Sequence, residues 1–181
     1  MRELRAHDLT DSAVTRLTRA GVLERVGRGL YRRVEAKVTE QHDLQMVMAK
    51  AGRAVVVLIS ALRFHGLGTQ TPREVWLQIP ANARPPALPW PPVRVVRTRL
   101  PAAFTDGVEV HDLGGIRVPV TNPARTVADC FKHRRQIGME ACLEALRELL
   151  ARDRQIMPEL TKYARMNQVL RVMQPYLEAM S

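Results

Sequence analysis

The stretch "GVLERVGRGLYRR", Gly21 to Arg33, sets two apolar segments around Gly27-Arg28-Gly29 and places arginines on both flanks. Val22, Leu23 and Val26 precede the turn and Leu30 and Tyr31 follow it. This is a period of two, the signature of a strand with one covered face. Gly27 and Gly29 suit a tight turn, because glycine reaches backbone angles closed to other residues. The segment therefore predicts a two-stranded hairpin tipped by Arg28.

Upstream, the period changes to that of a helix. Thr10 and Asp11 are good N-caps, since their side-chain oxygens can accept the free amides of a first turn. Val14 and Leu17 follow at helical spacing, Ala13 and Ala20 share their face, and Gly21 supplies a stop. The opposite face carries Ser12, Thr15, Arg16 and Arg19. A short helix, a second capped helix and a hairpin make a winged helix-turn-helix, whose second helix enters the major groove while the wing lies on the backbone. Ser12, Thr15, Arg16 and Arg19 are then the groove-facing residues, and Arg25, Arg28, Arg32 and Arg33 the wing contacts. The plainer reading is a soluble surface hairpin whose arginines blunt its edge. Between Ser12 and Arg33 there are six arginines, one glutamate and no lysine. That bias favours double-stranded DNA, because the guanidinium fork matches phosphate and guanine bidentately. A winged helix normally has a further helix before Arg2. Here the chain is expected to begin inside the first helix of the turn motif, leaving Leu4, Leu9 and Leu17 without part of their cover.

The whole chain of 181 residues has a formal net charge of +10, with 46% hydrophobic and 25% charged residues. This is the composition of a folded protein with an anionic partner. Cys130 and Cys142 have neither CxxC spacing nor clustered histidines, which argues against a disulfide scaffold or a zinc site. The longest apolar run, Ala54 to Leu62, falls far short of the roughly 20 residues that span a bilayer, and no apolar signal core opens the chain. The expectation is a cytoplasmic protein that engages no membrane.

Beyond the hairpin the pattern is α+β. Val38 to Gly52 predicts a helix, "AVVVLIS" (54–60) a buried strand, and "SALRFHGL" (60–67) a short helix capped by Ser60. "REVWLQIP" (73–80) alternates, with Val75, Leu77 and Ile79 on one face. "PANARPPALPWPP" (80–92) is a rigid loop rather than a partner-binding segment. "VRVVRTR" (93–99) alternates again, and "VEVHDL" (108–113) and "IRVPV" (116–120) flank the hairpin signal Gly114-Gly115. The count is about five strands. "TNPARTVADCFKHRRQIG" (121–138) predicts one helix, capped by Asn122, with Pro123 first and Gly138 beyond its end. Arg125 and Asp129 are expected to pair on its surface. Lys132 to Arg135 form a basic cluster that suits the negative end of a helix, with a second nucleic-acid or partner contact as the sharper alternative. "MEACLEALRELLARD" (139–153) should turn Leu143, Leu146 and Leu150 inward, and two helical pieces follow, with Pro158 near a start and Pro175 near a kink. The expected division is residues 1–38, a DNA-binding winged helix, and residues 39–181, an α+β domain.

Catalysis is not expected. There is no GxSxG, no HExxH and no phosphate-cradling glycine loop. Glu35-Ala36-Lys37 resembles half of a nuclease metal motif, but with Glu40 as its nearest acid it reads better as a charged linker. His42, His65, His111 and His133 are scattered, and His65 beside Phe64 reads as a packed core residue. The expectation is no enzyme, no catalytic residues, no metal and no cofactor.

Three blocks, "RLTRAGVLERVGRGLYRR" (16–33), "ISALRFHGLGTQTPREVWLQIP" (59–80) and "VTNPARTVADCF" (120–131), resemble in order and spacing the AbiEi-type antitoxins of type IV toxin–antitoxin systems. The resemblance extends to "ARMNQVLRVMQPYLEAM" (164–180). It implies an N-terminal winged helix that binds inverted repeats in its own promoter and represses it. It also implies a C-terminal domain that counters a toxin, in that family a nucleotidyltransferase-like protein. By the same resemblance Ser12, Thr15, Arg16 and Arg19 fall on the recognition helix and Arg28 on the wing. The alternative is a protein–protein antitoxin module whose DNA binding is weak or vestigial.

Overall fold

A computed structural model describes residues 11–20, 22–27, 30–33 and 40–180. Helix α1 spans Asp11–Arg19. Strands β1 (Leu23–Gly27) and β2 (Leu30–Arg33) follow it and pair antiparallel. Residues 1–10, where the sequence places the first helix of the turn motif and the Thr10 cap, lie outside the described residues. So do Glu35-Ala36-Lys37 and the expected boundary between residues 38 and 39.

From residue 40 the chain builds one mixed sheet covered on both faces. Helix α2 is Glu40–Met48 and ends short of the expected Gly52, while residues 38 and 39 lie outside the described residues. Strands β3 (Val55–Val56), β4 (Val75–Pro80), β5 (Val93–Thr98), β6 (Val108–Leu113) and β7 (Ile116–Thr121) lie in the order β5-β4-β3-β7-β6. β3 runs parallel to β7 and antiparallel to β4, β4 and β5 are parallel, and β6 and β7 form the hairpin predicted around Gly114-Gly115. Both glycines have positive φ, 62° and 87°, which explains their place in a two-residue turn.

The period of two splits the sheet between two cores. Val56, Val75, Leu77, Ile79, Val118 and Val120 pack with Leu44, Val47 and Met48 of α2. Val55, Val57 and Trp76 face the other way, onto α4 (Pro123–Lys132), α6 (Met139–Arg152), α7 (Met157–Met166) and α8 (Leu170–Ala179). β4 is buried on both faces from Val75 to Ile79, not on one. Phe131, Leu62, Leu146 and Leu160 are fully buried on the α4 side. Each such side chain contributes roughly 1.5–3 kcal/mol of transfer energy.

Four expectations are corrected. The strand in "AVVVLIS" is only two residues long, and helix α3 begins at Leu58 and ends at Phe64. Ser60 is therefore inside α3, not its cap. Its Oγ accepts the amide of Trp76 at 3.0 Å, taking over where the β3 ladder stops at Val56. The 121–138 segment is two helices. Asn122 caps α4, with its side chain accepting the Arg125 amide at 2.9 Å, but the chain turns at His133 into α5 (Arg134–Ile137). The turn brings Ile137 back onto the core. In α6 Leu149 joins Leu146 and Leu150 as a buried leucine, and Leu143 packs half-buried against the same core. Finally, Arg125 and Asp129 are not on the surface. Their side chains are 8% and 15% exposed, because α4 is enclosed by α3, α6 and α7. Pro158 does sit at the start of α7, and α8 runs through Pro175.

His65 holds the end of α3 to the sheet, donating from Nε2 to the Thr121 carbonyl at 2.7 Å. Burial lowers its pKa, so the ring is neutral in the fold. Below its unfolded-state value, near 6.5, the unfolded chain binds a proton that the folded one resists. Stability from this group is therefore present above that pH and lost as the pH falls through the depressed folded value. His65→Gln, which keeps a donor, should flatten the decline in melting temperature between pH 7.5 and 5.5; an unchanged slope would refute the assignment. Gly107 has φ 63°, and a Cβ there would collide with Tyr163 Oη and crowd the Arg125 side chain. Gly107→Ala should therefore destabilise by about 1–3 kcal/mol or more, measured by urea unfolding.

Candidate nucleic-acid interface

Helix α1 is amphipathic in the sense its sequence demands. Val14 is buried, and Leu17 is half-buried. Thr18 turns its Oγ1 back to the Val14 carbonyl at 2.8 Å. The helix closes with Ala20 N donating to Arg16 O and Val22 N to Leu17 O, the pattern of a glycine-type stop. Ser12, Thr15, Arg16 and Arg19 are all exposed. Their spacing of three, four and seven puts them on one stripe about 10 Å long. A helix of ordinary diameter fits a major groove about 12 Å wide, so this stripe can meet base edges along its length. Arg16 and Arg19 also lie in the last turn, where the helix dipole favours cations.

The hairpin aligns Leu23 with Arg33, Glu24 with Arg32, Arg25 with Tyr31 and Gly27 with Leu30, with a bulge between Arg25 and Gly27. The bulge inserts one residue and increases the local twist. It also breaks the simple alternation read from the sequence. Val22, expected on the apolar side, is 41% exposed. Arg25 is exposed opposite a half-buried Tyr31. Arg32 and Arg33 belong to β2. Arg28 and Gly29 lie outside the described residues.

The remaining cations are spread differently. Residues 1–39 hold nine Lys and Arg against five Asp and Glu, and residues 40–181 hold nineteen against thirteen. The N-terminal segment is thus distinguished by local density in residues 12–33, not by total charge. In the Lys132–Arg135 cluster, Arg134 donates to the Phe131 carbonyl at 2.9 Å and Lys132 to Asn167 Oδ1 at 3.3 Å. The first bond fits the helix-end reading, and the second ties Lys132 to the residue that follows α7.

The structure gathers some residues that looked scattered. Phe64, His65 and His111 form one ring cluster, with the two imidazole centroids 6.5 Å apart. Among the described residues no three His, Cys, Asp or Glu come together as a metal site. Cys130 and Cys142 are buried, and burial raises Cys130 well above the ordinary thiol range and pushes Cys142 up to about 11. Thiols held this way are protonated and inert. Sequence reading missed a polar cluster formed by Asp106, Arg125, Asp129, Lys162, Tyr163 and Asn167. These residues come from three separate segments, and only the i, i+4 spacing of Arg125 and Asp129 hinted at it.

The family model described as "Transcriptional regulator, AbiEi antitoxin" matches residues 1–34, the segment that holds α1, β1 and β2. The blocks at 59–80 and 120–131 lie beyond the matched residues. No curated protein matches this chain. Among the described residues no helix is long and apolar enough to cross a membrane.

The exposed stripe and the buried face of α1 make separable demands. Arg16→Ala and Arg19→Ala should shift stability by no more than about 0.5 kcal/mol, whereas Val14→Ala should cost on the order of 1–3 kcal/mol. Thermal unfolding followed by circular dichroism checks this. Equal losses at all three positions would mean that the arginines hold the fold.

Proposed function

We propose that the protein is a non-enzymatic, DNA-binding transcriptional regulator of the antitoxin type. The carrying observation is that the segment matching AbiEi antitoxin regulators presents Ser12, Thr15, Arg16 and Arg19 on one exposed helical stripe. In this reading α1 is the recognition helix and the β1–β2 hairpin is the wing. Arg25, Arg28, Arg32 and Arg33 dock the wing on phosphates, and Arg16 and Arg19 reach base edges or the flanking backbone. The target is an inverted repeat in the protein's own promoter, so that binding represses its operon. Residues 39–181 form the domain that counters a nucleotidyltransferase-like toxin. The expected location is the cytoplasm, with no cofactor required.

A second reading keeps the antitoxin role and makes DNA binding vestigial. It is favoured by the two cores, neither of which, among the described residues, includes one from α1, β1 or β2.

The two readings separate in one experiment. In gel shifts on the protein's own promoter, Arg16→Ala should cost about 1–3 kcal/mol and relax sequence preference. Arg28→Ala should weaken all DNA alike and reduce the slope of log affinity against log salt by about 0.9. Wild-type protein with no preference for that promoter over unrelated DNA would overturn the regulator reading. Growth rescue from the neighbouring gene product by the double variant would then favour the second.

A further inference from the structure

Arg125 is the most deeply buried cation among the described residues, and it is only partly spent. Its Nε donates to Asp129 Oδ2 at 3.3 Å and its Nη1 to the Asp106 carbonyl. The two carboxylates beside it are committed elsewhere as well. Asp129 Oδ1 accepts from Asn167 Nδ2 at 2.7 Å, and Asp106 Oδ1 accepts from Lys162 Nζ at 3.0 Å and Tyr163 Oη at 3.3 Å. Among the described residues no hydrogen bond engages Nη2 of Arg125, and Arg125 lines a cavity of about 320 Å³.

That cavity lies against the sheet face under α4 and α7. Its polar wall adds Lys132, His133, Asn167, Gln78 and the carboxylates Asp106 and Asp129 to Arg125, and its apolar wall includes Val57, Leu58 and Val96. Burial lowers the His133 pKa, so at neutral pH the ring offers hydrogen bonds and no charge. Arg97 reaches the cavity too, but its Nη1 donates to the Ala81 and Ala83 carbonyls. Three cations, Arg97, Arg125 and Lys132, thus face two carboxylates that already accept hydrogen bonds from within the protein, and the cavity keeps a net positive charge. Two further features mark a ligand site. Leu58 has φ 53°, a left-handed conformation that costs a branched residue and recurs at ligand clamps. Leu100 and Met166, at the cavity's edge, are 67% and 56% exposed, large apolar side chains left in water. The volume is at the lower end of small-molecule pockets. A larger opening of about 550 Å³ between α2, α3 and the Trp90–Pro92 loop holds no such buried cation.

We propose that this cavity binds a small organic anion, a carboxylate or phosphate monoester carrying a compact apolar body. The anion meets Nη2 of Arg125 and the Lys132 ammonium, and the body lies on Leu58, Val96 and Met166. A guanidinium fixed along one edge presents its other N–H groups without further loss of side-chain freedom, which is what oxyanion recognition requires. The assignment concerns the sheet-bearing part of the chain and does not rest on DNA binding.

The test uses the full chain with benzoate and phenyl phosphate as probes, benzyl alcohol as the neutral control, and constant ionic strength. Either anion should raise the melting temperature saturably, by about 3–5 °C at ten times its Kd. The anion that binds more tightly assigns the site to carboxylates or to phosphate monoesters. Lys132→Ala should weaken binding about tenfold or more, as expected for one charge-assisted hydrogen bond. Arg135→Ala, an exposed cation that does not line the cavity, should leave it unchanged. Arg125→Lys, which keeps the charge and loses the fork, should abolish it; where that variant is unstable, the Lys132 and Arg135 pair decides alone. No saturable shift with either anion, an equal shift with benzyl alcohol, or equal losses in the Lys132 and Arg135 variants would overturn the proposal.

Discussion

Burial of the Arg125 guanidinium is the constraint on which the larger part of the molecule turns. A cation that deep is tolerated only when it is paired and hydrogen-bonded, because desolvation costs several kcal/mol. Asp129 supplies the countercharge from the same helix, and the loop before β6 supplies the Asp106 carbonyl. Each partner is itself tied: Asp129 to Asn167 at the end of α7, Asp106 to Lys162 and Tyr163 within it. One charge thereby fixes α4, α7 and the start of β6 relative to the sheet. The glycine at 107 follows from this, since any side chain there would occupy the space of Tyr163 and Arg125.

The arginines of the N-terminal segment obey the opposite logic. Arg16, Arg19 and Arg25 are exposed. Charges in water contribute little to folding and are screened by salt. A fold that needed only solubility could use lysine or glutamate at those positions just as well. Stability gives no reason for arginine rather than lysine at Arg16 and Arg19. A phosphate-bearing partner does, because the planar fork then matters.

How much of this could be read from the chain depended on whether the determining signal was local. The α1 stripe, the hairpin, the Asn122 cap with Pro123, and the Gly114-Gly115 turn were all readable, because caps and turns are decided by a few adjacent residues. Ser60 misled for the same reason. It has the form of a cap, yet its hydroxyl completes a sheet ladder sixteen residues away. Arg125 and Asp129 have the spacing of a surface pair, and only the packing of α3, α6 and α7 around α4 puts them inside. The cavity was unreadable, because its walls come from α3, β4, β5, the turn at 100–103, α4 and α7 and no periodicity records their meeting. In the hairpin the alternation failed at a bulge, which a pattern of apolar residues does not announce.

The two faces of the sheet also divide the chemistry. The α2 side is sealed by aliphatic residues of β3, β4 and β7, with little polar capacity. The α4 side carries the buried Arg125, Thr126, Thr121 and Gln78, and the helices there cannot all close down on the sheet without stranding those groups. Thr121 and Thr126 solve this by bonding each other at 2.7 Å, and Gln78 by donating to the Ala103 carbonyl. Nη2 of Arg125 makes no hydrogen bond to the described residues. A cavity opens beside it, and Leu100 and Met166 at its rim leave large apolar surfaces in water.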